Sequence, residues 1–121
     1  MRKSSRARIR VLVVDDDDDI RVIVRMMLTL AGFAVVAESR DGAEAVRHVA
    51  ALDPDVVVLD KHMPRLTGEK AAERIREISS SVQILALSAN LDEKPEWADA
   101  WLPKFSIGRL PETIDALRDP L

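Results

Sequence analysis

Five side chains of this sequence could share one piece of chemistry: Asp15, Asp16, Asp60, Ser88 and Lys104. Asp15 and Asp16 follow the apolar run Ile9–Val14, and Asp60 follows Val56–Leu59. Ser88 follows Val82–Leu87, and Lys104 follows Ala100–Leu102 after a single proline. Carboxylates gathered in one crevice repel and raise one another's pKa. A hard divalent cation relieves that repulsion. Mg²⁺ takes one or two carboxylates and keeps its other positions for water and phosphate oxygens. Asp16 and Asp60 suit direct ligation, with Asp15 acting through water. A hydroxyl and an ammonium complete a cradle for a tetrahedral anion. A carboxylate nucleophile, a metal, a hydroxyl and a lysine make up a phosphoryl-transfer site that works by positioning and charge neutralisation.

Taken singly, each residue has a plainer reading. Asp60 could cap the next turn, Ser88 could satisfy backbone groups at a strand end, and Lys104 could be a surface lysine. What favours the shared reading is that all of them end strands. Val56–Leu59 is unbroken and mostly β-branched behind Asp53-Pro54, which reads as a strand buried on both faces. Ile9–Val14, Ala34–Ala37, Val82–Leu87 and Ala100–Leu102 read as four more strands.

Helices alternate with these strands. Ile20, Ile23, Val24, Met27, Leu28 and Ala31 recur at helical spacing, with Asp17–Asp19 at the favourable N-terminal end and Gly32 as a natural stop. Asp41 and Glu44 have capping-box spacing ahead of Ala45, Val46, Val49, Ala50 and Leu52, which leaves His48 on the surface side. Thr67 can cap a third helix with Ala71, Ala72, Ile75 and Ile78 inward. Gly108 reads as a loop position, and Pro111 suits the start of a last helix, PETIDALR. Alternating elements with unbroken apolar strands predict a doubly wound α/β fold of five parallel strands and four to five helices. Sites in such folds lie beyond the C-terminal strand ends.

Composition narrows the classes. A chain of 121 residues is one domain with room for a full core. There is no Cys, hence no disulfide framework, thiolate metal site or Cys nucleophile. The longest greasy stretch, Met26–Ala37, is interrupted and too short to span a bilayer, so the cytoplasm is the expected location. Five positive residues fall within the first ten, leaving 13 basic against 21 acidic residues in the remainder. Residues 1–8 therefore read as a basic, disordered arm, and nucleic-acid contact through the 9–119 domain is not expected.

The ordered set VLVVDDD, VVVLDKHMP with Gly68 four residues beyond its proline, ALSA and LPK resembles the receiver domain of bacterial response regulators. The resemblance covers residues 9 to 119. It implies the flavodoxin-like strand order 2-1-3-4-5, which a chemotaxis member of the family illustrates. It also implies that Asp60 accepts a phosphoryl group from the phosphohistidine of a sensor histidine kinase or phosphotransfer protein. Asp15 and Asp16 would hold Mg²⁺ with Asp60, helped by the backbone carbonyl of His62. Ser88 would be the switch hydroxyl, Lys104 the phosphate-pairing lysine, and Trp101 the switch aromatic that signals to a downstream protein. Such a module catalyses only its own aspartyl phosphorylation and dephosphorylation, as part of a two-component phosphorelay.

The sequence departs from the family at three points. Phe105 stands where proline usually follows the lysine, so a cis bond at 104–105 is not expected. Trp101 replaces the usual Tyr, Phe or His. Ser88 and Lys104 are only 16 positions apart, which leaves the polar stretch Asn90–Glu96, broken by Pro95, for a fourth helix that should be short or missing. That stretch is expected to be a mobile loop. Two other readings compete. A haloacid-dehalogenase-like phosphatase also places an Asp nucleophile after strand one, and Asp15 and Asp17 match its DxD, but Asp19 stands where Thr or Val is wanted. A receiver-fold binding module working without phosphorylation would be marked by a lost acceptor or acidic pair, and none is lost.

Overall fold

A computed structural model of the chain describes residues 6–63, 65–89 and 93–119. Five strands, β1 (Arg10–Val14), β2 (Ala34–Ser39), β3 (Val56–Asp60), β4 (Gln83–Ser88) and β5 (Ala100–Pro103), form one sheet. All neighbouring strands pair in parallel, in the order β2-β1-β3-β4-β5. This is the expected flavodoxin-like order. Four α-helices lie wholly within the described residues: α1 (Asp18–Leu30), α2 (Gly42–Leu52), α3 (Gly68–Ile78) and α4 (Leu110–Arg118). A 3₁₀ segment, Lys104–Arg109, links β5 to α4 and takes in Gly108, which the sequence suggested as loop.

A parallel sheet needs cover on both faces. On one face Val24 and Leu28 of α1 and Leu110 and Ile114 of α4 pack on Val11, Val13, Val56, Val58, Leu85 and Leu87. On the other, Ala45 and Val49 of α2 and Ala71, Ala72 and Ile75 of α3 pack on Leu12, Val14, Val57, Leu59 and Ile84. Strand β3 lies at the centre, and all five of its residues are buried. Its unbroken apolar run follows from having no solvent face.

Short side-chain caps set the helix starts. Asp17 accepts from the Asp19 and Ile20 amides, Asp41 from the Glu44 amide, and Thr67 from the Lys70 amide. Glu44 reaches back to the amide of Arg40, one residue outside the usual capping box. Past α1 the chain turns at Gly32 with φ of 103°, a conformation that favours glycine.

Several inward and outward assignments change. Ile23 and Ile78 are 49% and 47% exposed, while Arg21 is only 7% exposed. On α1 the buried stripe runs Arg21, Val24, Leu28, rotated away from Ile23. His48 is not a surface residue: it is half-buried, with Nδ1 2.7 Å from the hydroxyl of buried Ser39. Of the expected N-terminal arm, residues 1–5 lie outside the described residues, and Arg6 packs against the body. Its Nη2 donates to Asp115 Oδ2 at 2.6 Å, Nη1 donates to the Ala31 carbonyl at 3.1 Å, and the guanidinium lies 5.2 Å from the Phe33 ring centroid.

The connection from β4 to β5 contains no α-helix among its described residues, 89 and 93–99; residues 90–92 lie outside the description. The described part is joined to α3 and β4 by hydrogen bonds. Arg76 of α3 donates to the carbonyls of Val82 (3.3 Å) and Trp97 (2.9 Å) and to Asp99 Oδ2 (3.1 Å). Asp99 Oδ2 also accepts the Ile84 amide at 2.8 Å. Among the described residues there is no cis peptide, and no helix is long and apolar enough to cross a membrane.

Candidate functional site

The sheet brings the strand ends together. In the ladder Asp60 stands opposite Leu87 and Ser88 opposite Pro103, so Lys104 begins one residue past the partner of Ser88. Strand β1 flanks β3 on its other side and delivers Asp15. Asp15, Asp60 and Ser88 are buried, at 0%, 1% and 2% exposure. Asp16 is exposed at the rim. Ligand oxygens of Asp15, Asp16 and Asp60 all lie within 4.8 Å of one another.

The local backbone explains why these carboxylates stay put. The Asp15 amide donates to the Ser39 carbonyl of β2 at 3.1 Å, and Asp15 Oδ1 accepts the Asp17 amide at 2.9 Å. Beyond β3, Lys61 donates to the Leu87 carbonyl at 2.8 Å, and the His62 amide donates to Asp60 Oδ1 at 3.1 Å. The chain then folds back so closely that a Cβ on Gly68 would lie 2.7 Å from the Asp60 carbonyl oxygen. Glycine is required there by space. Arg65, in the same turn, has φ of 70°, unusual for a residue with a side chain.

Lys104 supplies the counter-charge. Its Nζ lies 3.1 Å from Asp15 Oδ2 and 3.3 Å from Asp60 Oδ2. Both contacts have ion-pair distance but miss hydrogen-bond geometry, so these two buried oxygens accept no hydrogen bond. Burial and the charge of Asp15 push the Asp60 carboxyl up to about 7, with Lys104 and the His62 amide only partly opposing. Burial pulls the Lys104 ammonium down, but Asp60 and Asp15 outweigh it and hold its pKa above the usual value. Two buried, under-coordinated carboxylate oxygens beside a third carboxylate are the donor set of a hard divalent cation. Asp15, Asp16 and Asp60 therefore fit Mg²⁺.

The other expected residues take their places around this centre. Ser88 ends β4. Trp101 is half-buried on β5, opposite Ala86 of β4. Strand alternation puts it on the sheet face away from buried Leu102. Asp17, which the phosphatase reading needs in the site, spends its carboxylate on capping α1. Sequence reasoning missed Arg21, whose Nη1 donates to the Asp15 carbonyl at 2.9 Å. The signal was its spacing: position 21 lies three before Val24 and seven before Leu28, on the buried stripe.

Residues 11–100 match the family model of the response regulator receiver domain. The chain belongs to that family. The receiver domain is 42% identical over 85 residues to the protein-glutamate methylesterase/protein-glutamine glutaminase 4 of Geobacter metallireducens, covering 69% of this chain and 24% of that protein. It is 38% identical over 115 residues to the transcriptional regulatory protein PrrA of Mycobacterium tuberculosis, covering 89% of this chain and 49% of that one. The chain thus spans about a quarter to a half of these curated relatives, and the esterase activity in the first name belongs to that protein. Among solved structures, the receiver domain of the histidine kinase CKI1 from Arabidopsis thaliana, complexed with Mg²⁺ and BeF₃⁻, superposes with a TM-score of 0.83 at 26% identity. The match covers 96% of this chain and 93% of that one. A phosphorylation-dependent signalling switch is the role that this family and this site share.

Proposed function

We propose that this receiver domain accepts a phosphoryl group on Asp60 from the phosphohistidine of a sensor histidine kinase or phosphotransfer protein. The observation that carries the reading is the buried Asp60 Oδ2: it ends the central strand, accepts no hydrogen bond, and faces both Lys104 and the acidic pair. Asp15, Asp16, Asp60 and the backbone carbonyl of His62 would hold Mg²⁺. Bound there, the ion offsets carboxylate charge and orients phosphoryl oxygens.

An Asp60 oxygen attacks phosphorus. The P–O bond to Asp60 forms as the P–N bond to the donor imidazole breaks, and the electron pair leaves with the imidazole. Lys104 pairs with the transferred phosphoryl group, and Ser88 donates its hydroxyl to it. Trp101, on the strand that ends just before Lys104, follows this rearrangement and transmits it to a downstream protein. The domain works in the cytoplasm, with no membrane or nucleic-acid contact of its own.

Acetyl phosphate tests this without the cognate kinase. Intact mass should show gain of one phosphoryl group with Mg²⁺ and none with a chelator. Asp60→Asn should remain unlabelled; undiminished labelling of that variant would rule out the assignment.

A further inference from the structure

Arg21 is a buried charge that the phospho-switch reading leaves without a role. It lies in the first turns of α1, and its side chain is only 9% exposed. A guanidinium keeps its charge in proteins, so burying one demands partners. Each of its nitrogens has one. Nε donates to Glu38 Oε1 at 3.1 Å, Nη2 to Asp18 Oδ1 at 2.6 Å, and Nη1 to the Asp15 carbonyl at 2.9 Å. The first two are charge pairs of a kind that surface arginines also make. The third is a fully buried bond to the backbone of the acidic pair.

That carbonyl belongs to the peptide joining Asp15 to Asp16. A peptide is planar, so fixing its C=O fixes the direction in which residue 16 sets out. The peptide before it is held by the Asp15 amide on the Ser39 carbonyl, at 3.1 Å. Asp16 itself is exposed, so the aim of its carboxylate rests on the backbone beneath it. Charge matters as well. A bare guanidinium so close to the acidic pair would oppose a divalent ion. Asp18 and Glu38 neutralise it, and Glu38 is shared with Arg25 at 2.6 Å. Two arginines and two carboxylates leave a directional hydrogen bond with little net field.

We propose that Arg21 is a positioning residue for the divalent cation: through the Asp15 carbonyl it holds the peptide that aims the Asp16 carboxylate, with its own charge offset by Asp18 and Glu38. The proposal rests on the reading of Asp15, Asp16 and Asp60 as the metal site.

Calorimetric titration with Mg²⁺ tests it, on the whole chain and on Arg21→Gln, Arg21→Lys, Arg25→Gln and Asp16→Ala, each with a thermal melt. Groups that orient metal ligands typically affect affinity ~10- to 100-fold, and Arg21→Gln should fall in that range while folded at the titration temperature. Arg21→Lys keeps the charge but loses the fork, and should fall between Arg21→Gln and the wild type. Arg25→Gln removes the neighbouring arginine from Glu38 without touching Asp15, and should bind Mg²⁺ like wild type at a comparable loss of Tm. If Arg21→Gln does not fold, weaker binding by Arg21→Lys beside unchanged Arg25→Gln supports the proposal. Wild-type affinity in the Arg21 variants, or an equal loss in Arg25→Gln, would make Arg21 a strut of the fold and overturn it. A wild-type chain that bound no Mg²⁺ would overturn the metal reading itself, which separates the two failures.

Discussion

Lys104 Nζ stands 3.3 Å from Asp60 Oδ2, although strand β4 separates β3, which ends at Asp60, from β5, which Lys104 follows. The lysine reaches along the C-terminal edge of the sheet and also meets Asp15. It is a cation on the same carboxylates that would hold Mg²⁺, so the two compete. Lys104→Met should therefore leave Mg²⁺ affinity unchanged or several-fold tighter. The same variant should lose most of the tryptophan fluorescence change that beryllofluoride, a phosphoryl mimic, induces in wild type. A wild-type response would mean that Lys104 plays no part in the switch.

Burial of Asp60 has a consequence for stability. Its carboxyl sits at about 7 in the folded chain, above the ~3.9 of an unfolded aspartate. A raised carboxyl favours the folded state fully below the unfolded value, and that contribution is lost as pH climbs through about 7. In a chelating buffer, Tm should fall between pH 5 and pH 8, and Asp60→Asn should flatten that fall. The same slope in both proteins would place its origin elsewhere. Added Mg²⁺ should stabilise wild type most at the higher pH, where the carboxylates are ionised.

The turn after β3 leaves no room at Gly68. A methyl group there meets backbone, not the far end of a flexible side chain. Gly68→Ala should cost about 1–3 kcal/mol in urea unfolding, as overpacking does, and should slow labelling by acetyl phosphate because the Asp60 carbonyl is what it displaces. Unchanged stability would mean that the turn yields freely.

Arg76 holds the described part of the β4–β5 connector. Arg76→Ala should raise hydrogen exchange at Ala98 and Asp99 while leaving β3 protected. If those amides exchange at the wild-type rate, the Asp99 bond to Ile84 holds the connector without Arg76.

Much of this was legible because burial on two faces leaves a strand no choice. Runs such as Val56–Leu59 had to be central, and the charged residues ending them had to lie at one edge. Helix starts could be read because Asp17, Asp41 and Thr67 cap through short, local hydrogen bonds. The positions that misled depend on partners in other elements of the fold. His48 turns inward to meet Ser39 on a neighbouring strand, and Arg6 is held by Asp115 from the other end of the chain. Ile23 looked inward because α1 carries more apolar residues than one face can bury: Val22, Ile23, Met26 and Leu30 all stand exposed. Arg21 took a core position because three oxygen acceptors, two of them carboxylates, were there to receive it.

We propose that Asp60, and not its acidic neighbours, carries the phosphoryl group. Borohydride reduces an aspartyl phosphate to homoserine, which marks the acceptor in a peptide map. After treatment with acetyl phosphate and Mg²⁺, homoserine should appear at position 60 and nowhere in the run Asp15–Asp19. Homoserine at Asp15 or Asp16, with Asp60 intact, would contradict that assignment.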